Sequence, residues 1–203
     1  MKKKLLAGVF AFFALTLMLS LAPANAQAIS FKKRIAKEVK KVGLGKEDSD
    51  KEKLKKIFQY VSLKEKDSKG NIKKERFGYD RPYTFAKDSK QKNWTQKYAK
   101  KMLLKKKGSC YQYAALYGYM ALKATGLKVQ VGVGTTKGYG NPNQPHAWTE
   151  VKIGKKWYIY DTIMDKNSPL VKKPLTYCAK KKTSKVKKQY YKYKGAKYYD
   201  LKF

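Results

Sequence analysis

The chain has 203 residues and a formal net charge of +35 at pH 7, with 49 lysines and arginines against 14 acidic residues, two cysteines and one histidine. That length suits one compact domain with an appended segment, and a charge this large favours contact with polyanions: nucleic acid, anionic headgroups or anionic wall polymers. The basic residues are nearly all lysine and are spread along the chain, which excludes an arginine cluster built to fork bases or phosphates.

Residues 1–26 read as a signal peptide. Met1 to Lys4 is a basic start, Leu5 to Leu21 is almost wholly apolar, and Ala24-Asn25-Ala26 is a small-residue cleavage site, with an alternative cut after Ala28. A retained anchor helix is the competing reading; the small residues at the end of the run favour cleavage. No later segment is long and apolar enough to span a membrane, so the mature chain is expected to be soluble and secreted or associated with the cell envelope. Losing Lys2, Lys3 and Lys4 lowers the charge by three, from +35 to +32.

Residues 27–48 form a basic N-terminal segment. Phe31, Ile35, Val39 and Val42 recur at helical spacing among lysines, and Gly43-Leu44-Gly45 breaks the pattern. Ser49 or Asp50 caps a second helix whose apolar face is Leu54, Ile57, Phe58 and Val61, ending in the polar stretch 66–71. Residues 72–92 show no period; Phe77-Gly78-Tyr79 and Tyr83-Thr84-Phe85 are aromatic islands, and Pro82 discourages helix. Trp94, Tyr98, Met102 and Leu103 mark a third helix that stops at Lys105-Lys106-Lys107-Gly108. From Ser109 to Lys123 the chain is apolar nearly all round, the pattern of a buried central helix ended by Thr125-Gly126. Val129, Val131 and Val133 alternate as in a strand. A Gly-, Asn- and Pro-rich loop over 138–145 precedes a hairpin of 146–153 and 157–161 around Gly154-Lys155. The domain is expected over 49–178, and 179–203 reads as a basic Tyr/Lys-rich C-terminal extension, either a peripheral strand or two or a partly ordered tail.

Three residues carry the chemistry. Cys110, His146 and Asp161 occur in the order of a thiol nucleophile, its base and the group that orients the base. Thiol catalysis needs a thiolate, and Cys110 falls at the first turn of the buried helix, where unpaired N–H groups and the helix dipole favour an anion. Gly108 just before it lets another chain or a substrate approach. If Gly154 and Lys155 form a two-residue turn, Ile153 faces Lys156, Trp148 faces Asp161, and His146 lies diagonal to Asp161 on the same face. A three-residue loop would separate them. Taken singly, Cys110 reads as a buried small residue, His146 as a loop-edge histidine and Asp161 as a cap on the turn after the strand. Cys178 is a free buried thiol, a redox partner for Cys110, or one half of a bridge that would block the nucleophile; they rank in that order.

Gly108-Ser109-Cys110-Tyr111-Gln112-Tyr113-Ala114 resembles the nucleophile motif of the transglutaminase-like superfamily, a branch of the papain-like thiol enzymes. His146-Ala147-Trp148 and Trp157-Tyr158-Ile159-Tyr160-Asp161 resemble its histidine and aspartate motifs. The likeness is closest over 108–165, extends more weakly back through 50–62, Tyr79 and Trp94, and with the leader points to a bacterial secreted branch. It implies an α+β fold with the nucleophile helix packed on an antiparallel sheet, and acyl transfer through a thioester by Cys110, His146 and Asp161. It also implies an oxyanion hole from the Cys110 N–H and a second donor, for which Trp94 and Tyr79 are candidates. The animal enzymes use calcium; carboxylates are scarce here, so no metal and no cofactor are expected. Expected partners are protein or peptide substrates, with anionic wall polymers or a membrane surface as anchors. The alternative is a non-catalytic wall- or membrane-binding module that keeps the fold. A nucleic-acid binder would explain the charge but not the three-residue set.

Overall fold

The computed structural model describes residues 25–62, 64–66, 68–69, 72–80, 90–138, 143–167, 173–183, 185–186 and 191–203. The apolar stretch read as a leader and the Tyr83-Thr84-Phe85 island lie outside them. In chain order the elements are α1 (Asn25–Lys40), α2 (Asp50–Ser62), β1 (Lys64–Lys66), β2 (Ile72–Glu75), β3 (Gly78–Tyr79), α3 (Trp94–Lys105), β4 (Lys107–Gly108), α4 (Cys110–Thr125), β5 (Val129–Thr136), β6 (Gln144–Ile153), β7 (Lys156–Tyr160), α5 (Thr162–Asn167), β8 (Lys180–Lys181) and β9 (Tyr191–Asp200). The chain divides into two units, residues 1–34 and 35–203, the division falling within α1. Of the first, only the helical residues 25–34 are described. Among the described residues no helix is long and apolar enough to cross a membrane.

In the second unit α2 starts at a reciprocal cap: Ser49 N–H donates to Glu52 Oε2 at 2.8 Å and Glu52 N–H returns to Ser49 Oγ at 3.3 Å. Its apolar stripe, Leu54, Ile57, Phe58 and Val61, is buried as the spacing predicts. It packs on α4, where every residue from Cys110 to Ala121 is buried. A helix apolar all round needs cover all round: α2 and α3 pack against it, as do β5 and β6 of the sheet. Thr149 Oγ1 donates to the Ala114 carbonyl at 2.8 Å, and the Tyr117 ring stacks on Tyr160 at 5.3 Å. Gly126, at φ +68, ends α4 by returning its N–H to the Leu122 carbonyl at 2.9 Å.

The main sheet has five strands in the order β8-β7-β6-β5-β9, with every pairing antiparallel. Its second face carries its own cluster of Trp148, Ile159, Met164, Tyr177, Val186 and Tyr191. Both faces of this α+β sheet are therefore covered.

One segment differs from expectation. α2 ends at Ser62, ahead of the polar stretch 66–71, and the antiparallel strands β1 and β2 follow it. These strands are mostly lysine and glutamate, so no apolar alternation announced them. The C-terminal stretch supplies peripheral strands: β8 and β9 are the two edges of the sheet, β9 pairing along β5 from Thr136↔Tyr191 to Gln130↔Asp200. Leu201 continues inward, its Cδ1 standing 2.6 Å from where a Cβ on Gly118 would lie.

Candidate active site

The nucleophile's position is set by a turn of five residues. Lys106 takes the left-handed conformation (φ 54°) and closes α3 with an N–H bond to the Met102 carbonyl at 3.0 Å. Lys107 and Gly108 then pair in parallel with Gly78 and Tyr79. Ser109 is the N-cap of α4: its Oγ accepts the Tyr111 N–H at 3.3 Å. Gln112 Oε1 reaches back to accept from the Ser109 N–H at 3.0 Å and Oγ at 2.8 Å. A Cβ on Gly108 would lie 2.6 Å from Gln112 Cβ and 3.0 Å from Met102 Sδ. Gly108 is thus required by Gln112 folding over it, rather than by an approaching substrate. Cys110 follows as the first residue of α4, 9 % exposed, its N–H lying ahead of the first intrahelical bond, from Tyr113 N–H to the Ser109 carbonyl.

His146 comes from the hairpin. Gly154 and Lys155 form the two-residue turn, Ile153 pairs with Lys156 and Thr149 with Tyr160. The next step along that register places Asp161 across from Trp148. β6 runs on past the end of β7, so His146 has a strand neighbour on one side only, Gly134 of β5. His146 Nε2 lies 2.6 Å from Asp161 Oδ2, with both side chains 1 % exposed. Oδ2 also accepts the Tyr191 hydroxyl at 2.9 Å, and Oδ1 accepts the Met164 N–H at 3.0 Å. Two rings that pack on each other at 5.0 Å, Trp148 and Tyr191, lie to one side of the imidazole, each centred 6.3 Å from it and inclined to it by 23° and 30°. Trp148 is fixed in turn: its Nε1 donates to Glu150 Oε1 at 2.9 Å, and its indole covers Gly132, where a Cβ would come within 2.6 Å of it.

Burial opposes charge on His146, but the Asp161 carboxylate outweighs it, helped by the hydrogen bond the ring N–H donates to the Cys110 sulfur, and the pKa is pushed up to about 10. With Nε2 committed to Asp161, Nδ1 is the ring nitrogen left for the sulfur. The structure therefore brings Cys110, His146 and Asp161 into one contiguous set. Cys178 stands elsewhere and both cysteines are free thiols. Burial first, then the Asp165 carboxylate, push the Cys178 thiol up to about 12, against a weaker pull from Lys55.

The two oxyanion candidates part company. Tyr79 pairs with Gly108, two residues from Cys110, and is 46 % exposed. Trp94 sits at the other end of α3, edge-on to Tyr98 and Tyr199. With Thr95 and Tyr119 it lines a separate cavity of about 280 Å³. Tyr119 is nine residues along α4 from the cysteine, about 13 Å, so Trp94 is not brought to the sulfur. Two supporting residues went unread in the sequence. Gln112 had a signal, since serine followed three residues later by glutamine is a capping box. Tyr191 had none, being one tyrosine among several in a lysine-rich stretch 30 positions beyond Asp161.

The family model described as "Transglutaminase-like superfamily" matches residues 37–162, the stretch that carries all three residues. The chain belongs to the transglutaminase-like superfamily. A search of curated proteins returned no match. Among solved structures this superfamily member is similar to a TGase, at 19 % identity and a TM-score of 0.47, covering 77 % of this chain and 37 % of that one. It is also similar to a candidate cysteine protease from Cytophaga hutchinsonii, at 17 % identity and a TM-score of 0.44, covering 85 % of this chain and 49 % of that one. The chain thus spans less than half the length of either structure.

Proposed function

We propose that this superfamily member is a thiol-dependent acyl-transfer enzyme, acting outside the cell membrane through a Cys110–His146–Asp161 triad. The supporting observation is a fully buried imidazole hydrogen-bonded to Asp161 and to Cys110, the first residue of a helix. Cys110 sulfur, as thiolate, attacks the carbonyl carbon of a glutamine side chain or a peptide. The Cys110 N–H stabilises the oxyanion, and Tyr79 is the nearer of the two candidates for a second donor. His146, held protonated, gives its proton to the departing ammonia or amine, leaving a thioester. Neutral His146 then takes a proton from the incoming amine or water, that nucleophile attacks the thioester carbonyl, and the thiolate leaves. Asp161 orients the ring and stabilises its cationic form. Cross-linking, deamidation and hydrolysis share this acyl-enzyme and differ in whether an amine or water reaches it.

The apolar leader supports export, and the charge of +35 supports retention on anionic wall polymers or a membrane surface. The same charge is what a non-catalytic binding module would use, so the deciding experiment is chemical. Incorporation of a fluorescent primary amine into a glutamine-bearing protein is run beside a proteolysis assay, on reduced wild type, Cys110→Ala and His146→Ala. The enzyme gives signal in at least one assay and loses it by about a thousandfold or more in each variant. Silence of wild type in both assays leaves the binding module standing.

A further inference from the structure

The family model ends at residue 162, yet the site's hydrogen bonds do not. Tyr191 is the first residue of β9, paired with Thr136 of β5 and 1 % exposed. Its hydroxyl donates to the same Asp161 oxygen that meets His146, at 2.9 Å. Its ring lies 6.3 Å from the imidazole and 5.0 Å from Trp148, and closes edge-on against Tyr177. A carboxylate can rotate about its Cβ–Cγ bond, and only some rotations present Oδ2 to Nε2. Met164 N–H fixes Oδ1 from one side; Tyr191 fixes Oδ2 from the other.

We propose that Tyr191 is a positioning residue of the acyl-transfer site: its hydroxyl, carried in by the C-terminal strand, holds the Asp161 carboxylate in the rotation that meets His146 Nε2. This rests on the triad reading given above. Among the described residues the groups against the imidazole include Asp161, Cys110, Tyr191 and Trp148, and Tyr191 brings a hydroxyl to this set. Its part is orientation: it touches neither the sulfur nor the scissile carbonyl in the reaction described. Outer partners of this kind change activity by roughly 10–100-fold in comparable sites.

The single histidine makes the test direct, because in untagged protein labelled with 15N-histidine every imidazole signal belongs to His146. Wild type is measured first: alkylation by iodoacetamide at mildly acidic pH, absent in Cys110→Ala, tests the thiol–imidazole pair whatever Tyr191 does. Tyr191→Phe then keeps the ring and removes the hydroxyl. The expected result is a fall in the His146 titration midpoint of about one pH unit or more and alkylation slowed about tenfold. Folded Tyr191→Phe with an unchanged or raised midpoint overturns the proposal, since a merely structural hydroxyl would lower the unfolding temperature alone. Should Tyr191→Phe not fold, wild type decides. The Tyr191 hydroxyl proton and the His146 Nε2 proton point at one oxygen and give a cross-relaxation peak, and its absence overturns the proposal equally.

Discussion

Oδ1 of Asp161 accepts the Met164 N–H and so caps α5, while Oδ2 accepts from His146 and Tyr191. Capping a turn and holding the imidazole thus fall to one side chain, divided between its two oxygens. The division separates two substitutions. Asparagine is as good an N-cap as aspartate, so Asp161→Asn spares α5; Asp161→Ala removes the cap as well, for about 1 kcal/mol. Both remove the strongest influence holding His146 protonated. In wild type, with the folded pKa near 10 and the unfolded value near 6.5, the pair's stabilisation is complete below about pH 6.5 and is lost as pH rises towards 10. Unfolding temperatures across that interval should therefore fall more steeply in wild type than in Asp161→Asn. The alkaline limb of thiol alkylation should move to lower pH in the variant. Parallel pH profiles for the two proteins would refute the assignment.

Elements, more than single residues, explain what could be read in advance. α4 was legible from apolar residues on every side, and the β6–β7 register from one glycine turn, because both signals are local. The β1–β2 hairpin was not, since its strands are mostly lysine and glutamate in sequence, nor was the partner of β9, because β5 lies far upstream. Likewise His146 and Asp161 could be paired by counting, while Trp94 could not be placed, since its position depends on how α3 lies along α4. Trp148 and β5 show the same non-local dependence. The indole fits because Gly132 opposite it has no side chain; an ideal Cβ would lie 2.6 Å, 2.7 Å and 2.9 Å from its three nearest ring atoms. A rigid ring cannot yield as a flexible tip would. Gly132→Ala should cost about 1–3 kcal/mol in a denaturant titration. It should also slow Cys110 alkylation, because the displaced indole packs beside the imidazole and on Tyr191. A variant as stable and reactive as wild type would refute that dependence.

At the scale of the whole molecule the charge and the site are separable. Among the described residues the lysines lie largely on the surface, whereas Cys110, His146 and Asp161 are buried. Adhesion to vesicles carrying anionic headgroups should weaken steeply from low to high salt and be the same for wild type and Cys110→Ala. Adhesion unaffected by salt would point instead to a specific pocket. The sheet order has a temporal consequence of its own. The thiol's helix and the imidazole's hairpin are each assembled from neighbouring stretches of chain, but β9 reaches β5 only after a long loop has closed. A polypeptide kept extended on a ribosome or in a secretion channel holds every reactive group and none of their alignment. The alignment of Tyr191 with Asp161 is therefore among the later contacts the chain can make.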